Sequence, residues 1–201
     1  MIFGLVLAGG RSSRFGAEKA LAELGGRSLL EAALATLGDG CVRVAVSAGP
    51  ASGAARLAKA HGLERLGDPA GLARGPLAGV LAGLVWAEAR GADRIATVPC
   101  DTPFLPADLV SRLDAALGPD DGAAVARASD GPHPLCGVWR TRLAQPLSAL
   151  LADDHPPVRE ALRQLRGRFV DSPDPAAFAN INTRQDLVRA EKTASDDRAR
   201  R

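Results

Sequence analysis

Short apolar runs alternate with stretches of helical periodicity along the first half of the chain. Four short runs predict strands, at residues 2–8, 42–47, 63–66 and 94–98, and the first is an apolar run typical of a strand that is buried on both faces. Four stretches with apolar residues at helical spacing predict helices, at residues 28–37, 51–61, 76–89 and 106–117. Pro76 and Pro106 suit the first turn of the last two helices. This alternation predicts a mainly parallel sheet with crossover helices.

The pattern changes after Gly118. Two further runs, at residues 123–128 and 135–140, predict strands separated by a turn at Asp130-Gly131-Pro132, and we expect this pair to form an excursion over the sheet. The remaining elements are helices at residues 143–151 and 158–165, a short strand at 168–170 and a last helix at 183–190. We expect the polar residues 193–201 to be disordered and residues 1–192 to form a single domain.

The composition is that of an ordinary globular protein, with 46% hydrophobic and 24% charged residues among 201. A net charge of +2 is too small to indicate a nucleic-acid-binding protein, and the absence of Tyr argues against a stacking platform for single strands. Because the chain enters a predicted strand within two residues, we expect no signal peptide, and the sequence contains no run of about 20 apolar residues. We expect a cytoplasmic protein that binds neither nucleic acid nor membrane.

The cysteines and histidines exclude several classes of site. The three cysteines, Cys41, Cys100 and Cys136, are far apart and lack Cys-x-x-Cys spacing, so we expect free thiols in a reducing compartment. The three histidines, at positions 61, 133 and 155, show no zinc-site or triad spacing. His133 and Arg140 are candidate ligand contacts, although a surface turn and a strand-end cation explain them equally well.

A glycine turn with cations follows the first strand. Gly9 and Gly10 lack a Cβ and allow backbone N–H groups to approach a ligand oxygen, while Arg11, Arg14 and Lys19 supply positive charge. An isolated turn of this kind is more often a solvated surface feature. A loop at the carboxyl end of the first strand of an α/β sheet, however, is where ligands of this architecture bind. The turn therefore predicts a triphosphate site, although it is neither a Walker loop nor a dinucleotide-binding fingerprint.

Two aspartates follow predicted strands at the same edge. Asp101, in Pro99-Cys100-Asp101-Thr102-Pro103, suits Mg²⁺, which binds through one or two carboxylates together with substrate phosphates. The alternative is a carboxylate that caps the following turn. Asp68, in Gly67-Asp68-Pro69, could accept hydrogen bonds from a base, a ribose or metal-bound water, and an Asp-Pro turn is the alternative.

Two further motifs lie near helix starts. Gly75-Pro76-Leu77-Ala78-Gly79 could face an anion or allow close backbone approach, and tight helix packing explains it almost as well. Asn180 and Asn182, just before the last helix, could hold a ligand or metal-bound water. Helix capping is the alternative for this pair.

The four motifs, taken in order, resemble the molybdenum cofactor guanylyltransferases, a family of nucleotidyltransferases with a Rossmann-like fold. The resemblance covers nearly the whole chain. It rests on Leu7-Ala8-Gly9-Gly10 continuing to Arg14-Phe15-Gly16 and Lys19, on Gly75-Pro76-Leu77-Ala78-Gly79, on Pro99-Cys100-Asp101-Thr102-Pro103 and on Asn180-Ile181-Asn182-Thr183. It implies a three-layer α/β/α fold with a mainly parallel central sheet.

The resemblance also implies roles for individual residues. The nucleotide-binding set consists of Leu7, Ala8, Gly9, Gly10, Lys19, Ser47, Asp68 and Asp101. Lys19 and Arg14 would neutralise pyrophosphate charge, Asp101 would bind Mg²⁺, and Asn180 and Asn182 would lie towards molybdopterin. The chain departs from the family in having Phe15 for Met, Glu18 for Asp and Ser47 for Asn.

The implied reaction transfers GMP from GTP to the terminal phosphate of molybdenum-molybdopterin and releases pyrophosphate. Because that phosphate is already ionised, no strong general base is needed, which agrees with the absence of a well-placed His. Other cofactor-biosynthesis proteins and molybdoenzymes would be partners. The alternatives are a CTP-dependent molybdopterin cytidylyltransferase, another sugar- or alcohol-phosphate nucleotidyltransferase, and a non-catalytic adaptor that binds nucleotide or cofactor.

Overall fold

A seven-stranded sheet lies at the centre of the computed structural model, which describes residues 1–9, 15, 18–69, 75–153 and 156–199. The strands of the described residues are β1 (Ile2–Leu7), β2 (Glu23–Leu24), β3 (Arg27–Ser28), β4 (Arg43–Ser47), β5 (Glu64–Leu66), β6 (Arg94–Pro99), β7 (Ala123–Ala128), β8 (Gly131–Arg140) and β9 (Gly167–Asp171). The order across the sheet is β5-β4-β1-β6-β8-β7-β9. Because β4 and β6 flank β1 on opposite sides, the chain reverses its direction of travel across the sheet here, where ligands of such sheets bind.

The sheet is parallel except for β8. Strand β8 pairs antiparallel with both β6 and β7, and β7 pairs parallel with β9. The expected excursion over the sheet is therefore wrong, although its two strands are confirmed. Strand β8 begins at Gly131, so the turn between the strands lies at Ser129 and Asp130, earlier than predicted. Residues Cys136 to Trp139 are buried, and pairing with β6 and β7 supplies hydrogen-bond partners for their backbone groups.

Helices cover both faces of the sheet. Their bounds are α1 (Leu29–Leu37), α2 (Gly53–Ala60), α3 (Pro76–Glu88), α4 (Leu109–Ala116), α5 (Ala144–Asp153), α6 (Val158–Gln164) and α7 (Arg184–Ala199). Apolar residues of α1, α2 and α4 share one core cluster, and those of α3, α5 and α6 share another. Alternation along β1 sends Val6 into the first cluster and Phe3 and Leu5 into the second. The predicted three-layer α/β/α architecture is confirmed.

Some boundaries differ from the sequence prediction. Helix α4 begins at Leu109 and not at Pro106, whose carbonyl accepts a hydrogen bond from the Leu109 N–H in a preceding turn. Strands β2 and β3 form a small hairpin whose central residues, Gly25 and Gly26, both have positive φ. Helix α7 continues to Ala199, so the structure assigns helix to most of residues 193–201, for which the sequence predicts disorder.

Candidate active site

Four parallel strands end at the same level and form the floor of the candidate site. The register places Leu7 of β1 between Ser47 of β4 and Pro99 of β6, and Ser47 faces Leu66 of β5. Because the strands are parallel, the loops that follow them emerge together at the carboxyl edge of the sheet. The predicted sharing of one edge by the segments after β1, β5 and β6 is confirmed.

Lys19 is the centre of a polar cluster at this edge. Its Nζ donates to Asp101 Oδ2 and to Asn182 Oδ1, both at 2.8 Å. The side chains of Lys19 and Asp101 are only 14% and 26% exposed, so their attraction is screened less than that of a surface pair. The structure thus brings together three motifs that are distant in the sequence, because Asp101 and Asn182 lie 82 and 163 residues after Lys19.

The backbone around Asp101 is fixed by the sheet and by the segment that precedes α7. The Cys100 N–H donates to the Leu7 carbonyl at 3.1 Å, and the Ile181 N–H donates to the Asp101 carbonyl at 2.8 Å. Thr102 Oγ1 donates to the Pro99 carbonyl at 3.1 Å. The Asp101 carboxylate therefore projects from a turn that is anchored on both sides.

The two asparagines before α7 differ in their surroundings. The Asn182 side chain accepts a hydrogen bond from Lys19, whereas Asn180, two residues earlier, is exposed. Helix capping, the alternative for the two asparagines, is performed by Thr183 and Asp186. Thr183 Oγ1 accepts from the Asp186 N–H, and Asp186 Oδ2 accepts from the N–H groups of Asn182 and Thr183. The hydrogen bond from Thr183 and those backbone donors lower the pKa of Asp186.

Ser47 and Leu7 pack directly against the first turn of α3. A Cβ at Gly79 would lie 2.8 Å from Ser47 Oγ and 3.0 Å from Leu7 Cδ2, so only glycine allows this approach without displacement. Ser47 is 3% exposed, which puts its hydroxyl within the packed floor. The tight-packing explanation of the Gly-Pro-Leu-Ala-Gly motif therefore applies at Gly79.

The other predicted nucleotide residues occupy the same edge where the structure describes them. The Ala8 N–H donates to the Ser47 carbonyl at 2.9 Å, and Gly9 is exposed beyond it. Asp68 is exposed after β5, separated from β6 by β4 and β1. Gly10, Arg11 and Arg14, three further predicted site residues, lie outside the described residues, as does His155.

The two predicted ligand contacts, His133 and Arg140, lie at opposite edges of the sheet. His133 lies beyond the carboxyl end of β6 and stacks on Phe178, with ring centroids 4.4 Å apart. Arg140 pairs with Arg94 at the opposite, amino edge, where its guanidinium donates to the carbonyls of Gly118 and Asp121. Arg140 is therefore a structural cation and no ligand contact.

Two residues that the sequence marks only as departures from the family pattern prove to have structural partners. Phe15 is 5% exposed and packs in a small cluster with Leu29, Ile181 and Ala190. Glu18 accepts hydrogen bonds from the backbone of α2. No local pattern indicates the Glu18 contact, because its donors are 35 and 36 residues away.

The cysteines near the site are unsuited to nucleophilic catalysis. Cys100 and Cys136 are buried, and this burial raises the pKa of each thiol to about 12. A thiol with so high a pKa stays protonated near neutral pH, whereas the thiolate is the reactive form. Neither thiol is therefore suited to forming a covalent enzyme intermediate.

Asp101 also fits a metal that is shared with a substrate. No group of three or more His, Cys, Asp or Glu side chains that could hold a metal occurs in the part of the chain that the structure describes. The partly exposed carboxylate of Asp101 and the amide oxygen of Asn182 are hard oxygen donors beside the same ammonium group. One carboxylate supplemented by substrate phosphates and water is a donor set that Mg²⁺ accepts.

Within the described ranges, no helix is long and apolar enough to cross a membrane.

Comparison with known proteins places this geometry in a family. Residues 4–184 match the MobA-like NTP transferase domain. The molybdenum cofactor guanylyltransferase of Cereibacter sphaeroides is 42% identical over 197 residues, which cover 98% of each chain. The guanylyltransferase of Rhodobacter capsulatus is 40% identical over 195 residues, covering 94% of this chain and 95% of that protein.

A solved structure agrees in fold. Molybdopterin-guanine dinucleotide biosynthesis protein A from Archaeoglobus fulgidus superposes with a TM-score of 0.79 at 23% identity, covering 98% of this chain and all of that one. The sheet topology, the polar cluster at the carboxyl edge and the full-length relatives all support the same family. The chain belongs to the molybdenum cofactor guanylyltransferases, within the MobA-like NTP transferase family.

Proposed function

We propose that this enzyme transfers GMP from GTP to the terminal phosphate of molybdenum-molybdopterin, forming molybdopterin guanine dinucleotide and pyrophosphate. The observation that carries this proposal is the meeting of Lys19, Asp101 and Asn182 at the carboxyl edge of the sheet. At this edge a cation suits the phosphates of a nucleoside triphosphate, and a carboxylate suits the counter-ion of those phosphates. Family membership supports guanine as the base.

The reaction requires positioning more than acid–base chemistry. An oxygen of the molybdopterin phosphate attacks the α-phosphorus of GTP, the bond from that phosphorus to the bridging oxygen breaks, and pyrophosphate leaves with the electron pair. Because the attacking oxygen is already ionised, no residue has to remove a proton from it. The role of the protein is to hold both phosphates in line and to neutralise developing charge.

The proposed roles follow from residue chemistry. Lys19 and Arg14 contact the departing pyrophosphate, and Asp101 holds Mg²⁺. When bound, the metal neutralises charge on the phosphate oxygens. Leu7, Ala8, Gly9, Gly10, Ser47 and Asp68 complete the nucleotide site. Asn182, and Asn180 beside it, lie towards the molybdopterin phosphate.

The proposal extends to the setting of the enzyme. We propose that residues 1–192 act as one domain and that the protein works in the cytoplasm. Molybdoenzymes and other cofactor-biosynthesis proteins are its proposed partners after transfer.

Pyrophosphate release tests the proposed reaction. The purified protein, supplied with molybdenum-molybdopterin and Mg²⁺, should release pyrophosphate with GTP and form the guanine dinucleotide. Replacing GTP by CTP should lower kcat/KM by about 10⁴-fold, because cytosine would leave unpaired the polar groups that hydrogen-bond guanine. Faster turnover with CTP would identify a cytidylyltransferase, and binding of GTP without any turnover would identify an adaptor.

A further inference from the structure

Helix α2 begins beside the candidate site and depends on a distant residue for its N-terminus. The first four N–H groups of a helix lack partners within the helix. At α2 the Ser52 N–H donates to the Gly49 carbonyl, and the Ala55 N–H donates to Ser52 Oγ, both at 3.1 Å. The other two, of Gly53 and Ala54, both donate to the carboxylate of Glu18.

Glu18 is a strong acceptor for these two donors. The bond from Ala54 to Oε1 measures 2.7 Å, and the bond from Gly53 to Oε2 measures 2.5 Å. Short, charge-assisted bonds of this kind are about twice as strong as neutral ones. The positive end of the helix dipole adds to the attraction. The carboxylate therefore fixes the chain at residue 18 to the start of α2.

The turn that follows Glu18 is pressed against the same helix. The Leu21 N–H donates to the Glu18 carbonyl at 3.1 Å, and Ala20 is 2% exposed. A Cβ at Gly53 would lie 2.3 Å from Leu21 Cδ1 and 2.8 Å from Glu18 Oε2. A residue larger than glycine at the start of α2 would displace the Leu21 side chain or the Glu18 carboxylate.

Lys19 lies between these two anchors. A lysine side chain has four rotatable carbon–carbon bonds, so the place of its ammonium group depends on where its backbone is held. On the other side, Asp101 is held by the hydrogen bonds of Cys100 and Ile181. Glu18 therefore helps to set the 2.8 Å separation between Lys19 Nζ and Asp101 Oδ2.

We infer that Glu18 is a positioning residue, which acts on the triphosphate through Lys19 by fixing the turn of residues 18–21 to the N-terminus of α2. The inference rests on the proposed function, because it assumes that Lys19 contacts the phosphates of GTP. It assigns Glu18, at a position where the chain departs from the family pattern, a function in nucleotide binding without contact to the nucleotide.

The test compares Glu18→Gln with Ser52→Ala. Both variants remove one hydrogen-bonding cap from α2, so both should lower the urea midpoint of unfolding by similar amounts. Glu18→Gln should weaken GTP affinity about 10-fold and leave guanosine affinity unchanged, since guanosine has no phosphates for Lys19 to contact. Ser52→Ala should leave both affinities within about twofold of wild type. Equal weakening of GTP and guanosine binding by Glu18→Gln would overturn the inference.

A double variant tests whether Glu18 acts through Lys19. If it does, adding Glu18→Gln to Lys19→Ala should change GTP affinity by less than about twofold, because the residue that Glu18 positions is already absent. A full 10-fold further loss in the Lys19→Ala background would contradict the inference.

Amide hydrogen exchange separates this inference from the proposed reaction. In the absence of any substrate, Glu18→Gln should speed exchange at Gly53, Ala54 and Leu21, whereas Ser52→Ala should speed exchange at Ala55. If wild-type protein shows these protections but releases no pyrophosphate, the proposed reaction fails and the anchoring stands. If Leu21 exchange is unchanged by Glu18→Gln, the anchoring fails whatever the reaction.

Discussion

The carboxyl and amino edges of the central sheet have similar charged residues in different arrangements. At the amino edge Arg94 pairs with Asp114 at 2.6 Å, and Arg168 pairs with Asp121. At the carboxyl edge Lys19 lies between Asp101 and Asn182. Both edges thus contain close pairs of opposite charge, and a list of ion pairs alone would not distinguish them.

The difference lies in what surrounds each pair. Arg94 of β6 pairs with Asp114 of α4, and Arg168 of β9 pairs with Asp121, which lies just before the neighbouring strand β7. The Arg140 guanidinium at this edge donates to two backbone carbonyls. The Lys19 cluster gathers side chains from after β1, after β6 and before α7 at the ligand edge of the sheet. Convergence of distant segments at that edge distinguishes the candidate site from a structural ion pair.

The largest effect is expected for loss of charge at Asp101. Asp101→Asn should lower kcat for pyrophosphate release by about 10²–10³-fold, because in the proposed mechanism the phosphates would lose the counter-ion that this carboxylate would hold. Asp114→Asn is the matched change at the amino edge; it should cost about 1 kcal/mol or less and leave kcat within about twofold of wild type. Steady-state kinetics and urea unfolding measure the two effects. Full magnesium-dependent activity of Asp101→Asn would remove this residue from the mechanism.

A smaller effect is expected from filling the space at Gly79. Gly79→Ala places a methyl group against Ser47 and Leu7 and should raise KM for GTP about 10-fold by shifting the site floor. Overpacking should lower the free energy of unfolding by about 1–3 kcal/mol, and the better helix propensity of alanine should raise it by about 1 kcal/mol.

Gly83→Ala is the control for that change, one turn further along α3. Its Cβ would lie 2.6 Å from Leu5 Cδ2 and 2.8 Å from Ile95 Cδ1, in the core away from the strand ends. We expect a similar loss of stability with an unchanged KM for GTP. If both variants raise KM equally, the contact of Gly79 with the site floor has no specific effect on nucleotide binding.

The smallest effect concerns acid stability at the amino edge. The hydrogen bond from Arg168 lowers the pKa of Asp121 from its ordinary value of 3.8. A lowered folded-state pKa stabilises the fold fully above the unfolded-state pKa, and this stabilisation is lost as pH falls through the folded-state value. Asp121→Asn should therefore be less stable than wild type at pH 7, and the gap should narrow below about pH 3.8. Urea unfolding across this range measures it, and a gap independent of pH would exclude the carboxylate as its source.

Local patterns predicted most of the fold. The runs that became β1, β4 and β6 were identifiable because strands buried on both faces are almost uniformly apolar. The position of β8 was not predictable in this way, because a buried run does not specify which strand it will pair with. The start of α4 was wrongly predicted at Pro106, because proline suits a turn that precedes a helix as well as the first turn of the helix itself.

The site was predictable to the level of an edge but not of its contacts. Strand ends located Asp101 and the Lys19 segment together, since parallel strands deliver their loops to one side. The contact between Lys19 and Asn182, and the contact of Glu18 with α2, depend on tertiary packing between segments 163 and 35 residues apart. Spacing and periodicity carry no information on such contacts.

The long separation of Lys19 and Asn182 also has a consequence for biosynthesis. A ribosome adds about 5–20 residues per second, so roughly 10–30 s pass between the synthesis of these two residues. During that interval the nascent chain can bury β1 and form α1 and α2, while the ammonium group of Lys19 still lacks its amide partner. The polar cluster of Lys19, Asp101 and Asn182 is therefore completed only after most of the sheet has emerged from the exit tunnel.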